Sequence, residues 1–168
     1  MTTLFPSDPY DGVAVFDAPL VYLAAVEATN YPLAEMPALM DATFPAIFAA
    51  LDAAGTEMCG PALALHRRIP TDTADLAVGM PITHPLAEVL PLPTGRDVTG
   101  VTCPIGAVAA TSYFGPYDGL GDAWGRFMGD VAASGHRPSP TFLEIYVSNP
   151  IETPDPSALR TDLVVFLS

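Results

Sequence analysis

Basic residues are scarce in this chain. Six Lys and Arg stand against nineteen Asp and Glu, a formal net charge of −13 over 168 residues. Phosphate neutralisation dominates nucleic-acid affinity, so no DNA or RNA binding is expected of this chain alone, whereas a cationic ligand would be drawn in. Cysteine is nearly absent. Cys59 and Cys103 are too few for a disulfide framework and lack metal-ligand spacing, so both are expected as buried reduced thiols. No two of His66, His84 and His136 stand at ligand spacing either, so no metal site is expected. A long apolar run is missing too: "PLVYLAAVEATNYPLAEMPALM" is interrupted by Glu27, Glu35, Pro32 and Pro37 before it reaches membrane-spanning length. The start, "MTTLFPSDPYDG", lacks a basic segment followed by an apolar core, so it does not read as a secretory signal, and a soluble cytoplasmic protein is expected.

What is present is apolar. Half of the residues are hydrophobic and the mean hydropathy is positive, which describes a folded domain with an acidic surface rather than a disordered acidic tail. At this length one domain, or two small intimate halves, can bury about 70% of the unfolded surface.

The halves resemble each other. Met40, Phe44, Ile47, Phe48 and Leu51 fall on one helical face, and Leu120, Trp124, Phe127, Met128 and Val131 repeat that spacing 80 residues later. Gly55 and Gly135 follow at the same offset, where a C-terminal cap would sit. Pro45 interrupts the first stripe, so the first helix is expected to start late or kink. The run "GPYDGLGDAWG" lacks the lysine of a phosphate loop and reads as the start of the second helix, capped by Asp118 or Asp122. "PALALHR" and "TFLEIYV" align at the same shift as strands, "ADLAVGMPI" and "TDLVVFLS" are the strands after them, and "PLVYLAAVEA" and "IGAVAATSYF" lead into the helices.

These segments predict an α+β fold of duplicated β-α-β-β units, with an antiparallel-rich sheet, two helices on one face and a ligand groove between the halves. The pseudo-repeats span about 13–84 and 99–168 of a single domain covering 1–168, with 85–98 as a Pro- and Gly-rich linker or covering loop.

Glu144 is the odd residue in "TFLEIYV". Alternation puts Leu143, Ile145 and Val147 on one face, expected under the helices, and Phe142, Glu144 and Tyr146 on the other, facing the groove. At the shift of 80 the first copy offers Ala62, Ala64 and His66 instead, which would leave room opposite the acid. The bland alternative is an exposed Glu144, or one salt-bridged to Arg67, Arg68 or Arg160.

Three segments, "YFGPYDGLGDAWGRFMGDVAASG", "PTFLEIYVSNP" and "LRTDLVVFL", carry a resemblance that extends over nearly the whole chain. With Gly115-Pro116-Tyr117 before the helix and Glu144-Ile145-Tyr146 on the strand as the most specific pieces, the sequence resembles the GyrI-like small-molecule-binding family, the effector-binding domain of AraC-type and multidrug-responsive regulators. The resemblance implies a pseudo-symmetric fold whose groove takes small hydrophobic or cationic compounds, with a role in protection from drugs or toxins. It places Glu144 at the pocket floor, with Phe142, Tyr146, Tyr117, Tyr113, Tyr22 and His66 as the further ligand-binding set. No cofactor is implied, because an acid there suits an organic cation better than a porphyrin carrying its own carboxylates.

Two other functions stay open. Some stand-alone members of the family hydrolyse reactive small molecules such as cyclopropanoids, and Glu144 would then activate water as a general base with Tyr117, or alternatively Tyr146, donating a proton or orienting the substrate. Others are linked to gyrase inhibition, which would make the protein an inhibitor or partner of a macromolecule. Here, though, the acids are dispersed singly rather than in a run. With the repeat running from about residue 13 to the end, no room is expected for a helix-turn-helix, so the stand-alone form is expected and a DNA-binding partner would have to be separate.

Overall fold

The structure, a computed structural model, describes residues 3–168. In chain order its elements are β1 (Ala14–Ala18), β2 (Tyr22–Pro32), α1 (Met36–Ala53), β3 (Leu63–His66), β4 (Thr73–Ile82), β5 (Leu90–Pro91), β6 (Asp97–Thr102), β7 (Gly106–Phe114), α2 (Leu120–Ala133), β8 (Pro138–Tyr146) and β9 (Arg160–Leu167). The fold is α+β, and every strand pairing within its two compact units is antiparallel. One unit is Leu20–Pro104; the other joins Ile105–Ser168 to the residues up to Pro19.

Each unit has the expected β-α-β-β order and the same pairing. In the Leu20–Pro104 unit, β4 lies between β2 and β3; in the other, β9 lies between β7 and β8. Each also gains an edge strand that the repeat does not announce. β6, with β5 beside it, pairs β2, so the segment read as a linker contributes strand. β7 takes β1 from the N-terminal end of the chain.

The helices repeat in detail. Thr43, Ile47 and Leu51 are buried on α1 and Ala123, Phe127 and Val131 on α2, three pairs at the shift of 80. This buried line runs beside the predicted stripe rather than along it: Phe48 is 54% exposed, and Met40, Phe44, Leu120, Trp124 and Met128 are only partly buried. Burying a side chain the size of Phe127 stabilises by about 1.5–3 kcal/mol, and it packs on Ala109, Phe142, Leu163 and Val165 of the sheet.

Both helices end in the same cap. Gly55 and Gly135 have φ of +68° and +86°, conformations that a Cβ disfavours. The N–H of Thr56 reaches the carbonyl of Leu51, that of Gly55 the carbonyl of Asp52, and His136–Val131 and Gly135–Ala132 repeat the pattern.

The helix starts differ from expectation. α1 begins at Met36, with Pro37 in its first turn, and runs through Pro45 instead of starting after it. One backbone bond is forgone there, and the buried Ile47 and Leu51 beyond it hold the helix on its sheet. No side chain caps α2. A 3-10 turn, Tyr117–Gly119, leads into it, and Asp118 and Asp122 lie in first turns where the helix dipole favours an acid without a capping bond.

Candidate functional site

Glu144 lies on β8 opposite Leu163 of β9, and directly opposed residues of antiparallel strands share a face. Leu163 packs with Phe142, Ala123, Phe127 and Val131, so the face of Phe142, Glu144 and Tyr146 is the one that α2 covers. The predicted faces are therefore reversed. Leu143 and Ile145 are buried on the opposite side, where Ile145 stands in register with Asp162.

That opposite side is occupied by a buried ion pair. Arg160 donates to Asp162 through Nε at 2.9 Å and Nη2 at 2.8 Å, and also to the carbonyls of Pro6, Ser7 and Asp8. Ser112 donates to the same carboxylate at 2.7 Å and accepts from the Tyr10 N–H. The N-terminal segment is thus held against this side of β9 through the carbonyls of residues 6–8. The helix face instead receives the indole of Trp124, whose N–H needs an acceptor when buried.

Glu144 supplies that acceptor. Trp124 Nε1–H donates to Oε2 at 2.7 Å, and the Tyr146 hydroxyl donates to Oε1 at 2.8 Å. Trp124 stands edge-on to Phe142, centroids 4.7 Å apart, and Tyr117 edge-on to Tyr146 at 5.9 Å. The arginines offered as alternative partners are engaged elsewhere: Arg67 with Glu27, Arg68 with Asp75 and Arg160 with Asp162. Among the described residues, no cationic side chain pairs with Glu144.

Burial raises the proton affinity of Glu144, and its bonds to Tyr146 and Trp124 pull the other way; burial prevails. Burial also drives the Tyr146 phenol well above its usual range, with the adjoining carboxylate adding to the effect. At neutral pH Tyr146 is a donor, not a base.

The sequence motif Gly115-Pro116-Tyr117 has a geometric role. The Tyr113 hydroxyl donates to the Pro116 carbonyl at 2.9 Å and occupies the space that a Cβ on Gly115 or Gly119 would need. Two glycines thereby let the turn close over Tyr113 and set Tyr117, 41% exposed, against Tyr146.

Of the seven residues expected around a ligand, Glu144, Tyr146, Phe142, Tyr117 and Tyr113 are drawn together in one unit. His66 and Tyr22 belong to the other. His66 is 2% exposed on β3, and burial lowers its pKa to about 4. Tyr22 borders a cavity of about 180 Å³ with Pro85, Leu86 and Gly100. A cavity of about 130 Å³ beneath α2 is lined by Thr111, Tyr113, Arg126 and Asp130 among others; Glu144 lines neither.

Trp124, read from the sequence only as one position of the second helical stripe, is the side chain beside Glu144 that was not among the expected ligand-binding residues. The signal that could have found it is chemical: a half-buried indole needs an acceptor, and Glu144 is the acid on the adjoining strand. Cys103 is buried, its thiol pushed up to about 12 by desolvation, whereas Cys59 is exposed, not buried as expected. Among the described residues, no group of three His, Cys, Asp or Glu could hold a metal ion, and no helix is long and apolar enough to cross a membrane.

No family model matches the sequence, and no curated protein matches it. Solved structures do. The fold is similar to that of the EcmrR C-terminal domain, with a TM-score of 0.74 and 14% identity over 93% of this chain and 96% of that one. Against the EcmrR chain in its DNA complex, the match spans 57% of that chain's length. A hydrolase from Listeria innocua matches with a TM-score of 0.64 and 16% identity over 96% and 94% of the two chains. SAV2435 bound to tetraphenylphosphonium matches with a TM-score of 0.61 and 8% identity over 94% of each. At these identities the likeness is one of fold. The chain thus shares its fold with the EcmrR C-terminal domain, with a tetraphenylphosphonium-bound protein and with a protein described as a hydrolase.

Proposed function

We propose that this protein is a small-molecule-binding domain of the GyrI-like type, and that Glu144 with its aromatic surround receives lipophilic organic cations. The observation that carries the reading is a carboxylate set among Trp124, Phe142, Tyr146 and Tyr117, with hydrogen-bond partners but no cationic partner among the described residues. A cation brought to it restores the ionised state that burial disfavours, and each well-placed ring adds about 0.5–2 kcal/mol of cation–π attraction. A neighbour of similar fold holding tetraphenylphosphonium supports this choice of ligand class. Tyr117, exposed at the edge of the group, is where a ligand would enter, its ring turning away from Tyr146. Protection from toxic cations is the physiological role this reading suggests.

The test is titration calorimetry with tetraphenylphosphonium on wild type and Glu144→Gln, with chemical denaturation of both. Saturable binding weakened at least tenfold in a still-folded variant is expected. Equal binding by both proteins would refute the assignment of Glu144.

A second reading is supported by the Tyr146–Glu144 hydrogen bond and by neighbours described as hydrolases. Glu144 would activate water against a reactive small molecule such as a cyclopropanoid, with Tyr117 or Tyr146 orienting it. Mass spectrometry of the incubated compound separates the two: it returns intact from a binding protein and hydrated from an enzyme.

A further inference from the structure

We propose that Trp124 sets the selectivity of the Glu144 site, favouring onium cations that carry no N–H donors over protonated amines. This rests on the reading of Glu144 as a cation site. Each carboxylate oxygen already accepts one hydrogen bond from the protein, Oε2 from Trp124 at 2.7 Å and Oε1 from Tyr146 at 2.8 Å. Both donors are neutral, so they use hydrogen-bonding capacity without bringing a positive charge to the carboxylate. A quaternary ammonium or phosphonium needs only that charge and the surrounding rings. A primary ammonium sheds water from three N–H donors on entering and must find acceptors for them, or bear the cost of buried unsatisfied donors.

Trp124 is well held for this part. Its ring is edge-on to Phe142 and tilted against Phe127 at 5.7 Å, so the N–H is fixed on the carboxylate by packing on two sides. Each oxygen keeps a second lone pair, so the discrimination is graded rather than absolute. Removing either donor frees an acceptor for an incoming ammonium.

The experiment compares decyltrimethylammonium with decylammonium, both below their micelle concentrations, by titration calorimetry on wild type, Trp124→Phe and Tyr146→Phe. Calorimetry is required because Trp124 is the only tryptophan. Wild type is expected to prefer the trimethyl compound at least tenfold. In each variant that preference should shrink threefold or more because decylammonium gains affinity, a change of ratio that loss of packing alone does not produce. If one variant fails to fold, the other still opens an oxygen. Tight wild-type binding of decylammonium, or an unchanged ratio in the variants, overturns the role of Trp124 while leaving Glu144 as a cation site. Failure of both probes to bind wild type refutes the cation reading itself, and this assignment with it.

Discussion

Trp124 and Glu144 are 20 residues apart in sequence and 2.7 Å apart in space, joined by an indole N–H donating to a carboxylate oxygen. The bond ties α2 to β8 and fixes the acid in an aromatic setting. Glu144 is therefore not a free surface acid, nor half of an ion pair among the described residues, and its behaviour should depend on protonation.

Acid should weaken cation binding early. Burial places the Glu144 pKa above its ordinary 4.5, so the ionised form that a cation needs is lost at a higher pH than for an exposed glutamate. Binding then lowers that pKa, so protons are released on complex formation near the titration midpoint. Calorimetry in two buffers of different ionisation enthalpy measures the release. A pH-independent affinity between 4 and 7 would contradict the picture.

The same shift carries a stability sign. A carboxyl whose folded pKa is raised favours the folded state at low pH, and that contribution fades as pH rises through the folded value. His66 acts oppositely. Its pKa falls from 6.5 to about 4 by burial, so the unfolded chain takes up a proton first as pH drops through that window. Acidification from pH 7 to 4 should cost up to about 3 kcal/mol through His66. His66→Leu should flatten the urea-denaturation stability profile over that range.

Gly119 and Tyr113 should couple. A Cβ on Gly119 meets the Tyr113 hydroxyl, and Gly119 has φ of −88°, so substitution brings no backbone strain of its own. Gly119→Ala should destabilise by about 1–3 kcal/mol, the usual cost of overpacking. In a Tyr113→Phe background the loss should be smaller, as measured by a double-mutant denaturation cycle. Additive effects would mean that the turn accommodates the methyl group without moving Tyr113.

Thr161 offers a stabilising substitution. It is fully buried in β9 between Tyr113 and Tyr146, and its hydroxyl has no hydrogen-bond partner among the described residues. Thr161→Val keeps the branched shape and removes an unsatisfied group, so the unfolding free energy should hold or rise by about 1 kcal/mol. A fall of more than 1 kcal/mol would show that the hydroxyl is engaged.

Local rules made much of this protein readable from its residues. Helical spacing with a glycine at a fixed offset located α1, α2 and their caps, since a cap depends only on residues within a turn of each other. Alternation placed β8 and β9 and marked Glu144 as unusual within its strand. Period two, however, divides a strand into two faces without saying which one a helix will cover. That was settled by distant parts of the chain: Arg160 and Asp162 with the carbonyls of residues 6–8 took the aliphatic side, and α2 took the side with the acid. The edge strands β1 and β6 escaped notice for a related reason, because strand pairing is a contact between segments far apart in sequence and neither segment carries its partner's address. The partner of Glu144 belongs to the same class. The sequence holds an acid needing donors and an indole needing an acceptor, and only the packing of α2 on β8 brings them within a hydrogen bond of each other.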